Sequence, residues 1–324
     1  MIASIIFCLM LTILYVVPLY LIPIKIRRLN RNDPIHIKYR LIVSSVSTLF
    51  MIILSYTLNI TNTIPWNFDN EVSFLLLIGL QIDKILESVV ITLLLFMLFY
   101  LGPIVVSTIH SITLCSYNTT ISGTLLIKKD KISIGTVLSK HVDDFLHHYS
   151  KLVLFRNFVN ATITEEIVFR ALMIPLLYKS WVLESSSLSS SSSSPWTVIL
   201  SCPIFFGIAH IHHCIEEIRN GSKVTIAIIK TVVQITYTSI FGFIAALLFM
   251  RTGNLISPLV AHIICNFFGL PDIGFMSKSS NELSFLYPYR YFLLFLHALG
   301  LILFSNTIMM LTENTSKTSF YWKY

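Results

Sequence analysis

The residues of this chain best suited to chemistry lie in a short charged segment inside an apolar stretch. Residues 164–170 read TEEIVFR, and they interrupt a largely apolar run over residues 152–177. In a membrane, each of the charged residues Glu165, Glu166 and Arg170 costs a few kcal/mol. Such residues persist there when they pair, face a water-filled cavity or take part in a reaction.

Helical spacing divides these charges into a pair and a single residue. Glu166 and Arg170 are four residues apart, so they share a helix face and can form an ion pair. Glu165 is rotated from that face by roughly 100° and has no partner within the motif. We therefore interpret Glu165 as the candidate catalytic carboxylate. The alternative is a buried Glu–Arg pair that only orients two helices.

Polar residues recur in two other apolar segments. His210 ends an apolar run that starts at Pro195, and His262 and Asn266 share one face of a short apolar helix. Taken singly, a histidine at the end of a span can contact headgroups, and an asparagine can hydrogen-bond a neighbouring helix. Together with Glu165 they supply a general base, a second acid or base and two hydrogen-bond donors. Amide hydrolysis needs that set, because a base deprotonates water and donors stabilise the oxyanion.

The composition indicates an integral membrane protein. Of 324 residues, 55% are hydrophobic and only 12% are charged, and the mean hydropathy is +0.77. A soluble domain is about 25% charged. The apolar runs are continuous, which is typical of helices and not of barrel strands. The sequence therefore predicts an all-α, polytopic membrane bundle with about eight transmembrane helices, each about 20 residues long.

The net charge of +7 follows membrane topology and does not indicate nucleic-acid binding. Residues 25–40 contain six Lys or Arg residues against Asp33, and residues 110–151 contain five lysines. Positive loops stay on the cytosolic side of a membrane. Both loops, and an active site near them, are therefore predicted to face the cytosol. The five cysteines form no CxxC pair, which argues against a disulfide framework or a structural zinc site.

The chain is predicted to be a single membrane domain, residues 1–324. Its motif-bearing catalytic core is residues 152–271. Residues 185–194 are nine serines and one leucine, which is typical of a flexible loop without a catalytic role.

Three motifs in order resemble those of the type II CAAX prenyl endopeptidases, which belong to the wider abortive-infection family of membrane proteases. Residues 165–170 match EExxxR, residues 206–210 match FxxxH, and residues 262–266 match HxxxN. The flanking sequences FGIAHIHH, at residues 206–213, and CNFFGLP, at residues 265–271, resemble the eukaryotic branch. One such motif would be a weak signal, but three in order with matching flanks are a specific one.

The resemblance implies an enzyme of the endoplasmic reticulum membrane. It would remove the last three residues of farnesylated or geranylgeranylated proteins, such as small GTPases, by cutting after the prenylated cysteine. Carried over residue by residue, the resemblance makes Glu165 the group that activates water and His210 its partner. It makes His262 and Asn266 the pair that stabilises the oxyanion.

In the same resemblance Glu166 and Arg170 are supporting charges, and no metal or cofactor is expected. A zinc-dependent protease remains an alternative, because Glu165, His210 and His262 are also the ligand types of a catalytic zinc site. The HExxH motif of helical zinc proteases is absent from the chain.

Two further alternatives remain open from the residues alone. Cys265 lies three residues from His262 and could be a nucleophile, although apolar surroundings disfavour a thiolate. The chain could also be a non-enzymatic transporter or scaffold, because carboxylates and histidines within a membrane build proton relays.

Overall fold

The computed structural model describes residues 1–68, 72–121, 150–184, 194–219, 221–279 and 282–322. Throughout these residues the regular structure is helical, and they contain no strand. The all-α prediction is confirmed. The predicted serine-rich loop lies outside the described residues, except for Ser194, which caps the helix that follows it.

Ten longer helices make up most of the described chain. They are α1 Ile2–Val16, α2 Pro34–Ile60, α3 Ile85–Phe99, α4 Leu101–Ile121, α5 (residues 151–183), α6 Pro195–Ala209, α7 His212–Arg219, α8 Val224–Thr252, α9 Ile256–Phe268 and α10 Arg290–Leu311. Short helical segments occupy Pro18–Leu21, Ile24–Arg27, Phe74–Leu77, Ile82–Lys84, Gly274–Met276, Ser284–Tyr289 and Glu313–Thr318.

Five helical segments of the described chain are long and apolar enough to cross a membrane, or six if a pair bent by 72° forms one span. The five are Ile2–Leu21, Pro34–Ile60, Pro195–Arg219, Val224–Thr252 and Ser284–Thr318, and the bent pair is Phe74–Phe99 with Leu101–Thr113. The chain is thus a multi-pass membrane protein, but the predicted count of about eight spans is not confirmed.

The difference in span count comes from the two helices that carry the first and third motifs. In α5 the charged residues and the interruptions in the helix exclude a regular apolar span. The α9 helix has 13 residues, which at about 1.5 Å per residue make about 20 Å, less than the roughly 30 Å of a hydrocarbon core.

Helix α5 alternates between α-helical and π-helical turns. The π-helical stretches are Phe155–Asn160, Ile167–Leu172 and Lys179–Leu183. The middle stretch precedes Pro175, whose nitrogen cannot donate to the preceding turn. Every residue from Val168 to Tyr178 is buried. The structure therefore keeps Arg170 away from lipid.

Residues 156–183 of α5 belong to a first unit, which comprises residues 1–92, 156–263 and 311–324. Within it, α6 and α8 pack closely. A Cβ atom on Gly242 of α8 would lie 3.3 Å from Cβ of Pro203 on α6. A glycine here lets the two helices approach, so that the rings of Phe206 and Phe241 come within 6.4 Å of each other, centroid to centroid.

The start of α9 is held by a loop that contains Gly79. The Leu255 amide donates to the Gly79 carbonyl at 2.9 Å. Asn254 donates to the Gln81 carbonyl at 2.7 Å, and its side-chain oxygen accepts from the Ile256 amide at 2.9 Å. The second bond caps the helix. These contacts fix the point from which α9 extends toward His262.

A second unit comprises residues 93–155 and 264–310. Its apolar cluster contains Val106, Phe275, Leu283, Leu286 and Leu293. In the same unit the ring of Tyr100 stacks on Phe268 at 4.7 Å, and its hydroxyl donates to the Gly269 carbonyl at 3.2 Å.

We predict that Gly79→Ala destabilises the protein and reduces its activity. Gly79 has a φ of +74°, and an added Cβ would lie 2.6 Å from the Phe249 ring and 2.9 Å from the Leu255 nitrogen. The second contact is with backbone that anchors α9. Thermal unfolding of the detergent-solubilised protein measures the effect.

Gly221→Ala is the matched control for the Gly79 substitution. Gly221 also has a positive φ, +90°, but an added Cβ would meet nothing within 4 Å. Both variants therefore carry backbone strain, and only Gly79→Ala adds a clash. Equal losses of thermal stability would contradict a role for the contact between Gly79 and Leu255.

Candidate active site

The two glutamates of the first motif occupy different environments. Glu166 is fully buried. Its Oε1 atom accepts from Arg170 Nη1 at 3.2 Å and from His262 Nδ1 at 2.7 Å. The ion pair expected from helical spacing is present, and it extends to the histidine of the third motif. Because a carboxylate that accepts a hydrogen bond from a guanidinium is strongly held, Glu166 is a positioning group.

Arg170 connects the first motif to the helix of the second. Its guanidinium carbon lies 4.5 Å from the centre of the Phe206 ring and 5.4 Å from that of Phe241. A cation over an aromatic face is attracted by the ring quadrupole, most strongly when it is desolvated. The side chain of Arg170 is fully buried. One cation thus holds α5 against α6 and α8.

Glu165 is the carboxylate that remains accessible. Its side chain is 19% exposed, and its Oε2 atom lies 3.9 Å from His262 Nε2. Glu165 and His210 line one cavity of about 100 Å³, enough for about three waters at roughly 30 Å³ each. The structure therefore brings a free carboxylate and a histidine to one space that water can occupy.

His210 is oriented by its own helix. It follows the last residue of α6, and its Nδ1 atom lies 2.7 Å from the Phe206 carbonyl oxygen. A carbonyl can only accept, so Nδ1 carries the hydrogen, and Nε2 of the neutral ring carries a lone pair. The Phe206 ring packs edge-on against the imidazole at 4.8 Å. Nε2 is thus the atom of His210 that can exchange a proton.

His262 and Asn266 share α9 but belong to different units. His262 is buried and lies in the first unit, with Nδ1 on Glu166. Asn266 lies on the last turn of the helix, is exposed and belongs to the second unit. The predicted role of Asn266 as an oxyanion donor stays a prediction.

Sequence reasoning missed four residues that line the cavity. Tyr15 on α1 shares a 3.1 Å hydrogen bond with the hydroxyl of Thr164, directly before Glu165. A tyrosine in an apolar span gives no signal of such a contact. Arg31, Arg40 and Arg156 line the same cavity. The first two were visible in the sequence only as part of a basic loop.

The zinc alternative for Glu165, His210 and His262 stays a prediction. In the described part of the chain, one group of three His, Cys, Asp or Glu residues has ligand atoms within 4.8 Å of one another, and it is His212, His213 and Glu216. Glu165 and His210 are not part of that group. The Glu216 carboxylate also lies 3.2 Å from Arg40, whose positive charge opposes a bound cation.

Comparison with known proteins finds a matching family and relatives that share the same name. A family model described as "Type II CAAX prenyl endopeptidase Rce1-like" matches residues 148–268. "CAAX prenyl protease 2" of Homo sapiens is 31% identical over 315 residues, which cover 96% of this chain and 81% of that protein. The protein of the same name from Arabidopsis thaliana is 33% identical over 218 residues, 67% of this chain and 65% of that protein. No solved structure matches the chain.

We predict that removing one member of the buried pair Glu166 and Arg170 destabilises the protein. Glu166→Leu should lower the free energy of unfolding by about 3–5 kcal/mol, because it leaves a buried cation without its carboxylate. The double variant Glu166→Leu/Arg170→Met should cost less than the sum of the two single variants. Unfolding in mixed micelles, followed by circular dichroism, measures all three values.

The exposed pair of Glu313 and Lys317 is the matched control. It has the same spacing of four residues and a distance of 3.0 Å, but its side chains are 62% and 65% exposed. Glu313→Leu should therefore change the free energy of unfolding far less than Glu166→Leu does. Strict additivity at Glu166 and Arg170 would show that the two charges do not stabilise each other.

Proposed function

The chain belongs to the type II CAAX prenyl endopeptidase family, and on that premise we propose that Glu165 and His210 activate the water that cleaves the substrate. Its relatives are peptidases by name, with substrates that end in a CAAX sequence. The chain is accordingly a CAAX prenyl endopeptidase, and the non-enzymatic alternative is set aside. We take the substrates to be farnesylated or geranylgeranylated proteins, small GTPases among them, which lose the three residues after the prenylated cysteine.

One observation carries the assignment of Glu165. Of the two neighbouring carboxylates, Glu166 is occupied by Arg170 and His262, whereas Glu165 lines a cavity together with His210. A general base needs access to the proton that it takes. Glu165 has that access, and the buried Glu166 does not.

The proposed reaction is a hydrolysis by a single water molecule. Glu165 takes one proton from the water, and the oxygen attacks the carbonyl carbon of the prenylated cysteine. The carbon–nitrogen bond then breaks, and the proton passes to the leaving amine. His210 Nε2, whose lone pair faces away from the Phe206 bond, assists the proton transfer. The products are a prenyl-cysteine with a new carboxylate and a free tripeptide.

His262 and Asn266 are proposed to stabilise the oxyanion that forms on the attacked carbonyl. With Nδ1 donating to Glu166, His262 can donate from Nε2 only when the ring is doubly protonated. Nε2 lies 3.9 Å from Glu165 Oε2, so a donor at that atom is adjacent to the base. Preorganised donors of this kind contribute largely to catalysis.

The proposed site is reached from the cytosolic side of the endoplasmic reticulum membrane. Arg31 and Arg40, which belong to the basic loop predicted to face the cytosol, line the same cavity as Glu165. A prenyl chain partitions into the bilayer with about 0.8 kcal/mol per buried CH₂. A substrate held in this way presents its terminal peptide at the membrane surface, where the cavity lies beside the loop.

We predict that a glycosylation sequon inserted after Arg28 stays unmodified in cells. Glycosylation occurs on the lumenal side, and positive loops remain cytosolic. A shift in electrophoretic mobility that a glycosidase removes would reveal modification. Efficient glycosylation at this position would reverse the proposed orientation of the active site.

We predict that Glu165→Gln lowers kcat by about 10²- to 10⁴-fold, the usual contribution of a general base. The substitution keeps the size of the side chain and removes its charge. The measurement is release of the terminal tripeptide from a farnesylated CAAX peptide by the purified protein. Glu313→Gln makes the same chemical change at an exposed position and should keep wild-type activity.

The same assay distinguishes the proposed mechanism from its alternatives. Equal kcat values for wild type and Glu165→Gln would assign the base to another residue. Loss of activity on chelation, restored by zinc, would support the metal-dependent mechanism. A Cys265→Ala protein should remain active, and an inactive but folded one would favour the thiol.

A further inference from the structure

Three arginines surround the active-site cavity, although the proposed hydrolysis uses none of them. Arg31 lies in the loop before α2, Arg40 in the second turn of α2, and Arg156 near the start of α5. All three line the cavity of Glu165. Arg31 and Arg40 also line a second, larger cavity of about 440 Å³. Arg31 and Arg40 therefore lie where the two cavities adjoin, and Arg156 lines the smaller one.

The positive charge of these arginines is only partly neutralised. Arg40 pairs with Glu216 at 3.2 Å, and the same carboxylate lies 3.1 Å from His213. Across the described residues, Arg31 and Arg156 have no carboxylate within 4.0 Å. Of the three guanidinium groups, only that of Arg40 is paired with a carboxylate at this distance among the described residues, and the cavity that they line also contains Glu165.

Arg156 is held in place by neutral acceptors. It donates to the Arg31 carbonyl at 2.8 Å and to the side-chain oxygens of Asn32 at 3.2 Å and Asn157 at 2.9 Å. These bonds connect α5 to the loop before α2 without cancelling the charge. A guanidinium fixed by neutral partners is preorganised for an anion.

The positive charge of Arg40 repels that of Arg31. Loss of hydration, followed by repulsion from Arg40, lowers the pKa of Arg31, and these effects outweigh the attraction of Glu216 and Glu165. An anion placed between the two arginines would relieve that repulsion. The cluster therefore has the electrostatics of an anion-binding site.

We propose that Arg31, Arg40 and Arg156 bind the free C-terminal carboxylate of the substrate. This inference rests on the proposed function, because it assumes that the water activated by Glu165 attacks the peptide bond three residues before that carboxylate. Arginine matches a carboxylate with two parallel hydrogen bonds, a geometry that lysine lacks. Three residues of extended chain reach about 10 Å, so an anchor beside the cavity is within range.

The anchor gives a physical reason why a fixed number of residues is removed. The prenyl group fixes one end of the peptide in the lipid, and the arginines fix the other. A peptide longer by one residue would place its carboxylate about 3.5 Å further on. Cleavage is then measured from the chain terminus, and an internal sequence of the same composition is not cut.

The experiment compares two peptides that differ in one group. The full-length protein is reconstituted in phosphatidylcholine vesicles, which carry no net charge. It receives a farnesylated CAAX peptide with a free C-terminal carboxylate, or the same peptide with a C-terminal amide. Loss of a hydrogen bond to a charged group should raise KM for the amide by about 10- to 100-fold. The kcat should change little, because the anchor is remote from the reacting bond.

Substitutions test whether the three arginines cause the preference for the peptide with a free carboxylate. In Arg31→Gln and Arg156→Gln, KM for the acid should rise toward the wild-type value for the amide, so that the ratio between the peptides falls toward one. Arg28→Gln removes a charge from the same loop, at an exposed residue that lines neither cavity. It should keep the wild-type ratio.

Each outcome has a distinct meaning. Wild-type protein that cleaves acid and amide with the same KM overturns the anchor and leaves the proposed function intact. Folded wild-type protein that cleaves neither overturns the proposed function, and the anchor with it. A ratio that Arg28→Gln reduces as much as Arg31→Gln attributes the preference to general surface charge. A ratio that disappears when anionic lipid is added assigns the arginines to headgroups. Since the peptide comparison needs no substitution, it holds even if Arg156→Gln fails to fold.

Discussion

The arrangement of this protein depends on one buried carboxylate that accepts hydrogen bonds from an arginine and a histidine at once. Glu166 has no exposed surface, and its Oε1 atom accepts from both Arg170 and His262. A charge in this position is costly unless it is paired. The pairing therefore fixes α5 against α9, and the rings of Phe206 and Phe241 extend the contact to α6 and α8. Three motifs that are distant in sequence become neighbours because the buried carboxylate of Glu166 needs partners that offset the cost of its charge.

This network separates two adjacent glutamates that are chemically identical in the sequence. Glu166 binds Arg170 and His262 and so holds helices together. Glu165, one residue earlier, lines a cavity that His210 also lines. The division requires no special chemistry, since a rotation of about 100° per residue is enough. Positioning and reaction are thus assigned to neighbouring side chains, and the rigidity of the first supports the second.

The sequence was sufficient for what depends on local geometry. Spacing predicted the pair of Glu166 and Arg170, and hydropathy predicted a helical membrane protein. It could not show that His262 reaches Glu166, because 96 residues separate them and no periodicity encodes a contact between helices. Its count of about eight spans is not confirmed among the described residues, and apolar composition does not reveal that α5 contains π-helical turns. The arginines around the cavity were missed for a related reason: Arg31, Arg40 and Arg156 come together only in the folded chain.

The burial of these charges constrains the order in which the chain can assemble. Glu165, Glu166 and Arg170 are synthesised before α6, α8 and α9, which supply Phe206, Phe241 and His262. A translocon would insert an isolated segment with these charges only at a cost of about 2.5–3.5 kcal/mol for a central charged residue. Helix α5, which carries the candidate catalytic glutamate, is therefore poorly suited to enter the bilayer alone. Its entry must wait for its later neighbours, so that a chain truncated before α9 would expose unshielded charges to the quality-control machinery of the membrane.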